Sequence, residues 1–246
     1  MEHAPLPLKD VFHLSPPRDR PSLAFPLGLG DAGLHEICEA SHGDFAAMTG
    51  FALAARAHRK GPIVWIRQAG LKQSHGLLLQ AGYREISTNI SPCLTITPRK
   101  LSETLWATEE AIRSGVAALV IAELEDTDFT ASRRLALAAG RHGVPVLLLM
   151  PYSRDGATAA SARWRISPRP SSPNRYDPKA PGALRWKAVL ERSRQAPHMA
   201  GQSFDLELDD ETLSLRVVSG LAADPVATRP AWAQDRIGPS HLRQSA

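Results

Sequence analysis

Apolar and polar positions along the chain follow two regimes that change near residue 150. Before it, short apolar runs alternate with segments of helical spacing. Leu34-His-Glu-Ile-Cys38 alternates at the two-residue period of a half-buried strand. Phe45, Met48, Ala52 and Ala55 then recur at helical spacing through Arg59, with Asp44 as N-cap and Gly61-Pro62 as the stop. Ile63–Ile66 and Cys93–Thr97 suit inner strands of a sheet covered on both faces, while the stretch between them shows no clear period. Thr97-Pro98 predicts a cap with proline at the first helical position, and Leu101, Leu105, Thr108 and Ile112 carry one helix face to Ser114-Gly115. Ala117–Ala122 is a continuous buried strand. Thr130 caps a helix running to about Arg141 that His142-Gly143 stops, and Val144–Leu149 is one more strand. Strands alternating with helices of this length predict right-handed βαβ units and a parallel sheet.

After Pro151 the helices disappear. Arg163–Ile166, Arg185–Leu190, Phe204–Leu208 and Leu213–Val218 alternate with only turns and loops between them, which is the pattern of antiparallel β. The fold class expected is therefore α/β, a mostly parallel sheet flanked by helices with an antiparallel β extension at its C-terminal side. Residues 1–30 hold six prolines and read as an extended lead-in, 31–220 as the folded domain, and 221–246 as a flexible tail. Residues 167–183 hold five prolines and read as a poorly ordered loop.

Composition narrows the class. The 246 residues are 43% hydrophobic and 22% charged, which fits one globular domain. Apolar runs such as Val144–Pro151 fall well short of the roughly 20 residues of a membrane span, and the N-terminus shows no basic segment followed by an apolar core, so a cytoplasmic address is expected. Cys38 and Cys93, far apart in sequence, read as buried structural thiols rather than a disulfide or a zinc site. Charge is unevenly spread: residues 1–150 carry 15 basic and 15 acidic side chains, 151–200 carry 10 and 3, and 201–246 carry 4 and 7.

That local excess nominates Arg163, Arg165, Arg185 and Lys187, which flank Trp164 and Trp186 on two strands. If the strands pair, alternation sets the four cations on one face as a contact for phosphate, single-stranded DNA or an acidic partner. Trp232, among prolines and small residues, is a candidate partner-docking residue. Where a phosphate-binding loop would follow the first strand, the chain reads Glu39-Ala-Ser-His-Gly-Asp44. It has one glycine there, two acids, and no lysine between Lys9 and Lys60, so a triphosphate is disfavoured by sign. Among the acids, Glu109 and Glu110 read as solvated, Glu125, Asp126 and Asp128 as a loop before a helix, and Glu123 keeps interest at the end of a buried strand. No hydrolase or metal-site motif occurs, and no catalytic residue, cofactor or metal is expected.

Gly33-Leu-His-Glu-Ile-Cys-Glu39, Gly61-Pro-Ile-Val-Trp-Ile66, Leu105–Val116, Leu119-Val-Ile-Ala-Glu-Leu124, Thr130–Ala139, Arg163-Trp-Arg165 and Arg185-Trp186 occur in this order, and over about residues 27–218 the chain resembles the ImuA family of damage-inducible mutagenesis proteins, which are RecA-like. The resemblance implies a non-enzymatic accessory role in SOS-induced translesion DNA synthesis. The implied partners are a catalytically inactive Y-family-polymerase-like protein, an error-prone replicative-type polymerase and RecA. The same superfamily contains the SulA cell-division inhibitors, which bind the tubulin-like division protein, and that is the competing reading. A divergent RecA-like ATPase is the third, and would need Lys60 or Lys72 to enter the site. Against RecA itself, the lysine position falls on or beside Phe45 and the strand-end acid corresponds to Glu123.

Overall fold

The computed structural model describes residues 23–24, 29, 33–56, 59–76, 82–83, 86, 92–174, 176–177, 179–209 and 211–218. Its elements in chain order are β1 (Leu23–Ala24), β2 (Gly33–Glu39), α1 (Phe45–Ala55), β3 (Ile63–Arg67), α2 (Ala69–His75), β4 (Cys93–Ile96), α3 (Leu101–Arg113), β5 (Leu119–Glu123), α4 (Phe129–His142), β6 (Pro145–Met150), β7 (Ala162–Arg169), β8 (Arg185–Ser193), β9 (Ser203–Leu208) and β10 (Leu215–Val217). The strands make one sheet in the order β1-β10-β9-β8-β7-β2-β6-β5-β3-β4. From β7 to β4 every neighbouring pair is parallel, and from β7 through β8, β9 and β10 to β1 every pair is antiparallel. This is the expected α/β architecture with its antiparallel extension.

The sheet divides the interior. On one face Ile37, Trp65, Ile121, Leu147, Leu149, Trp164 and Trp186 pack with Met48 and Phe51 of α1. On the other, Leu34, Cys38, Val64, Ile66, Val120 and Leu148 pack with Ile112 of α3 and Leu135 of α4. The single core expected of Phe45, Met48, Ile63, Val64, Leu105, Ile112, Val120, Ile121, Leu147 and Leu148 is thus two cores. Successive strand residues point to opposite faces, so Leu147 and Leu148 cannot share one. Phe45 and Leu105 sit at the rims, only partly buried.

Several boundaries move for local reasons. The third helix begins at Leu101 rather than at Pro98, because the Glu103 carboxylate accepts from the backbone N–H groups of Arg99 and Lys100 and closes the first turn there. The fourth begins at Phe129, with Asp128 as the cap: its Oδ1 accepts from the Ala131 N–H at 2.6 Å. Gly143 ends it in the left-handed conformation, φ 63°. In the stretch without a clear period lies the seven-residue α2, stopped by Gly76. β7 runs through Pro168 to Arg169, beyond the predicted Ile166. The missing proline N–H costs nothing there, because β2 pairs with β7 only as far as Ile166.

Cys38 is buried, but Cys93 is exposed, since β4 is the last strand of the sheet and has no neighbour on its outer side among the described residues. Burial, then the nearby Glu36 carboxylate, push the Cys38 thiol up to about 12, so it behaves as an inert apolar side chain. Among the described residues no helix is long and apolar enough to cross a membrane.

Candidate functional site

Three strand ends meet where ligands bind in parallel α/β sheets. Glu123 closes β5 and is 0% exposed. Its register partner on β3 is Arg67, whose Nη2 donates to Glu123 Oε1 at 2.5 Å, and the Trp65 indole N–H donates to the same oxygen at 2.6 Å. Burial raises the Glu123 pKa, while the Arg67 hydrogen bond and charge and the Trp65 hydrogen bond oppose it. The acid in the position that would serve a bound nucleotide is thus held by its own chain.

The loop after β2 carries acids and an aromatic ring where a phosphate-binding loop would carry a lysine. Asp44 stands at the N-cap position of α1, yet its Oδ2 accepts the Ser41 N–H at 3.0 Å and caps nothing. The Phe45 ring, where a lysine would reach for phosphates, lies stacked on His75 of α2 with ring centroids 3.8 Å apart. Burial, then Arg67 and His42, hold the His75 pKa below its usual value. Beneath lies a cavity of about 190 Å³ walled by Phe45, Met48, Leu149, Met150 and Tyr152, with Glu39, His42 and His75 as its ionisable groups. Among the described residues no lysine or arginine lines it, Lys60 and Lys72 included. Among the described residues, no three His, Cys, Asp or Glu side chains are grouped to hold a metal ion.

The basic segment is built differently from its appearance in sequence. Arg163, Arg165, Arg185 and Lys187 do lie on one face of the sheet, with Trp164 and Trp186 buried on the other. They do not form a free positive cluster. Arg163 is only 6% exposed and its Nε donates at 2.7 Å to Glu36, a carboxylate on β2 that is itself fully buried. Arg163 also donates to the carbonyls of Asp155 and Gly156, and Arg165 to those of Glu39, Tyr152 and Arg154. Arg165 pairs with Glu191, and Arg185 with Glu207 at 3.6 Å. Lys187 makes no ion pair among the described residues. The two arginines of Arg163-Trp-Arg165 therefore fasten the loop between β6 and β7, a role no local pattern announces because the anion, Glu36, lies 127 positions away. Trp232 lies outside the described residues.

One other acid differs from expectation. Glu109, read as solvated, is 8% exposed and pairs with Arg134 of α4 at 2.7 Å and Arg113 at 3.0 Å, joining two helices. Asp126 pairs with Arg154, whose other nitrogen reaches Glu36 at 3.3 Å.

Comparison with known proteins adds the identity. Two curated relatives, both Protein ImuA of Caulobacter vibrioides (strains NA1000 / CB15N and ATCC 19089 / CIP 103742 / CB 15), are 31% identical over 190 residues, covering 71% of this chain and 73% of each relative. The chain belongs to the ImuA family. No family model matches it. A solved structure, SulA from Pseudomonas aeruginosa, is similar at 19% identity with a TM-score of 0.37, covering 48% of this chain and 97% of that one. In this ImuA-family chain the strand-end site therefore has a buried Arg67–Glu123 pair and an aromatic stack in place of phosphate-binding groups.

Proposed function

We propose that this ImuA-family protein is a non-enzymatic accessory factor of SOS-induced, error-prone translesion DNA synthesis. It bridges a Y-family-polymerase-like protein, an error-prone replicative-type polymerase and RecA. The observation that carries the non-enzymatic part is the closure of the strand-end site by its own residues: Arg67 and Trp65 on Glu123, and Phe45 on His75. An ATPase needs a cation for the phosphates and an acid for magnesium; here no lysine or arginine among the described residues lines the cavity, and Glu123 Oε1 is taken by Arg67 and Trp65. Family membership supports the pathway, and contact with protein partners is what remains for a chain that holds no nucleotide.

Of the four cations nominated for contact, Lys187 has no ion pair among the described residues, so it is the one free to meet an anionic partner without breaking an internal contact. The test is co-expression and co-purification with the polymerase-like partner, for the full chain, for a form ending at residue 221, and for Lys187→Gln. The full chain is expected to co-purify and to restore damage-induced mutagenesis to a deletion strain. A chain that filaments cells on overexpression and restores no mutagenesis would contradict the reading.

A further inference from the structure

Five carboxylates are buried among the described residues: Glu36, Glu39, Glu109, Glu123 and Glu207. Four have arginine partners: Glu36 with Arg154 and Arg163, Glu109 with Arg113 and Arg134, Glu123 with Arg67, Glu207 with Arg185 and Arg216. Glu39 has none. It is 3% exposed, ends β2, and lines the cavity of about 190 Å³ described above. Burial raises the pKa of its carboxyl, and the backbone amides of Tyr152 and Gly43 and the charge of His42 oppose that rise only in part. A buried anion without a counter-ion is costly, and the space beside it is where a cation would remove that cost.

The walls specify what kind of cation fits. Phe45, Met48, Leu149, Met150 and Tyr152 are apolar or aromatic, and the His42 and Tyr152 rings stand edge to face at 5.8 Å beside the opening. Such walls suit an alkyl stem and a delocalised or ammonium head over aromatic faces, and they give too few oxygen donors for a metal ion. The volume equals that of roughly six waters, enough for a short alkyl chain with its head group.

We propose that this cavity binds a guanidinium- or ammonium-tipped apolar stem, the chemistry of an arginine or lysine side chain, with Glu39 as its counter-ion. The site a nucleotide enzyme would use for an anion is here turned to the opposite charge. The proposal rests on the nucleotide-free reading only in requiring the cavity to be open to another ligand. The ionisable groups facing the site are Glu39, His42 and His75, with Asp44 in the loop before α1 and Arg67 acting on His75.

The test titrates the full chain at pH 8 with n-butylguanidinium, its neutral isostere n-butylurea, a capped Gly-Arg-Gly peptide, and magnesium–ATP. Binding is followed by the methyl resonances of Met48 and Met150. n-Butylguanidinium is expected to bind about tenfold or more tightly than n-butylurea. In Glu39→Gln the preference is expected to vanish. Tyr152→Ala, at a half-exposed wall position, is expected to weaken the guanidinium and keep the preference. Tighter binding of the peptide than of n-butylguanidinium would assign the cation to a protein side chain, and the reverse to a free small molecule. Equal binding of the charged and neutral isosteres by the parent protein would overturn the proposal, as would an undiminished preference in folded Glu39→Gln. Should Glu39→Gln not fold, the comparison of isosteres on the parent protein decides. Binding of ATP would count against the function proposed above, whereas loss of the guanidinium preference counts against this inference alone.

Discussion

The buried Glu36 carboxylate sets the strongest constraint carried by single residues. It accepts from Arg163 at 2.7 Å, Thr158 at 2.6 Å and Arg154 at 3.3 Å, with no water-exposed surface. Removing Arg163 leaves a charge that neither solvent nor another group can fully satisfy. Arg163→Ala should therefore cost about 3–5 kcal/mol in chemical denaturation. Arg169→Ala, whose partner Asp205 is comparably open to solvent, should cost less than about 1 kcal/mol. A second constraint is His35 on β2, whose pKa burial lowers from 6.5 to about 4. Between those values the unfolded chain binds a proton that the folded one refuses, so stability falls as pH drops from about 6.5 toward 4 and levels off below. The loss attributable to this residue approaches about 3 kcal/mol. Urea denaturation across that range should show a steeper decline for the parent than for His35→Gln, and equal slopes would place the buried proton elsewhere.

At the scale of elements, α1 is held close to the sheet by the absence of a side chain at Gly50. A Cβ there would stand 3.3 Å from the Trp186 ring, so the helix and the tryptophan on β8 approach as near as the atoms permit. Gly50→Val should cost about 1–3 kcal/mol by overpacking. Leu147→Ala on β6, fully buried between α1 and the strands, should cost about 2–5 kcal/mol. Central strands such as β5 and β6 were legible in the sequence because burial on both faces demands continuous apolar runs, and Leu119–Glu123 and Pro145–Met150 supply them. α2 was not legible: seven residues give fewer than two full turns in which to show a period, and none of its residues is buried. The N-termini of α3 and α4 shifted because the caps are chosen by which carboxylate reaches the first-turn amides, Glu103 and Asp128 here, a matter of geometry rather than of residue type.

At the scale of the whole molecule, ion pairing decides what the surface offers. Part of the cationic excess of residues 151–200 is met by acids brought to it from other elements, namely Glu36 from β2 and Asp205 and Glu207 from β9. Charge counted along the chain could not reveal this, because the pairs close only once β2, β7, β8 and β9 lie side by side. The candidate site was half legible. The missing lysine and the acids of Glu39–Asp44 were plain in sequence, whereas the Arg67–Glu123 pair depends on the register of β3 against β5. Together these features describe an α/β protein of the ImuA family whose strand-end acid, Glu123, is paired with Arg67 of its own chain, and the function proposed for it requires that no nucleotide binds there. The most direct measurement is calorimetric titration of the full chain with magnesium–ATP at neutral pH, paired with a phosphate-release assay. The account predicts no heat of binding at millimolar nucleotide and no turnover above background. Saturable binding with magnesium-dependent turnover that disappears in Glu123→Ala would contradict it.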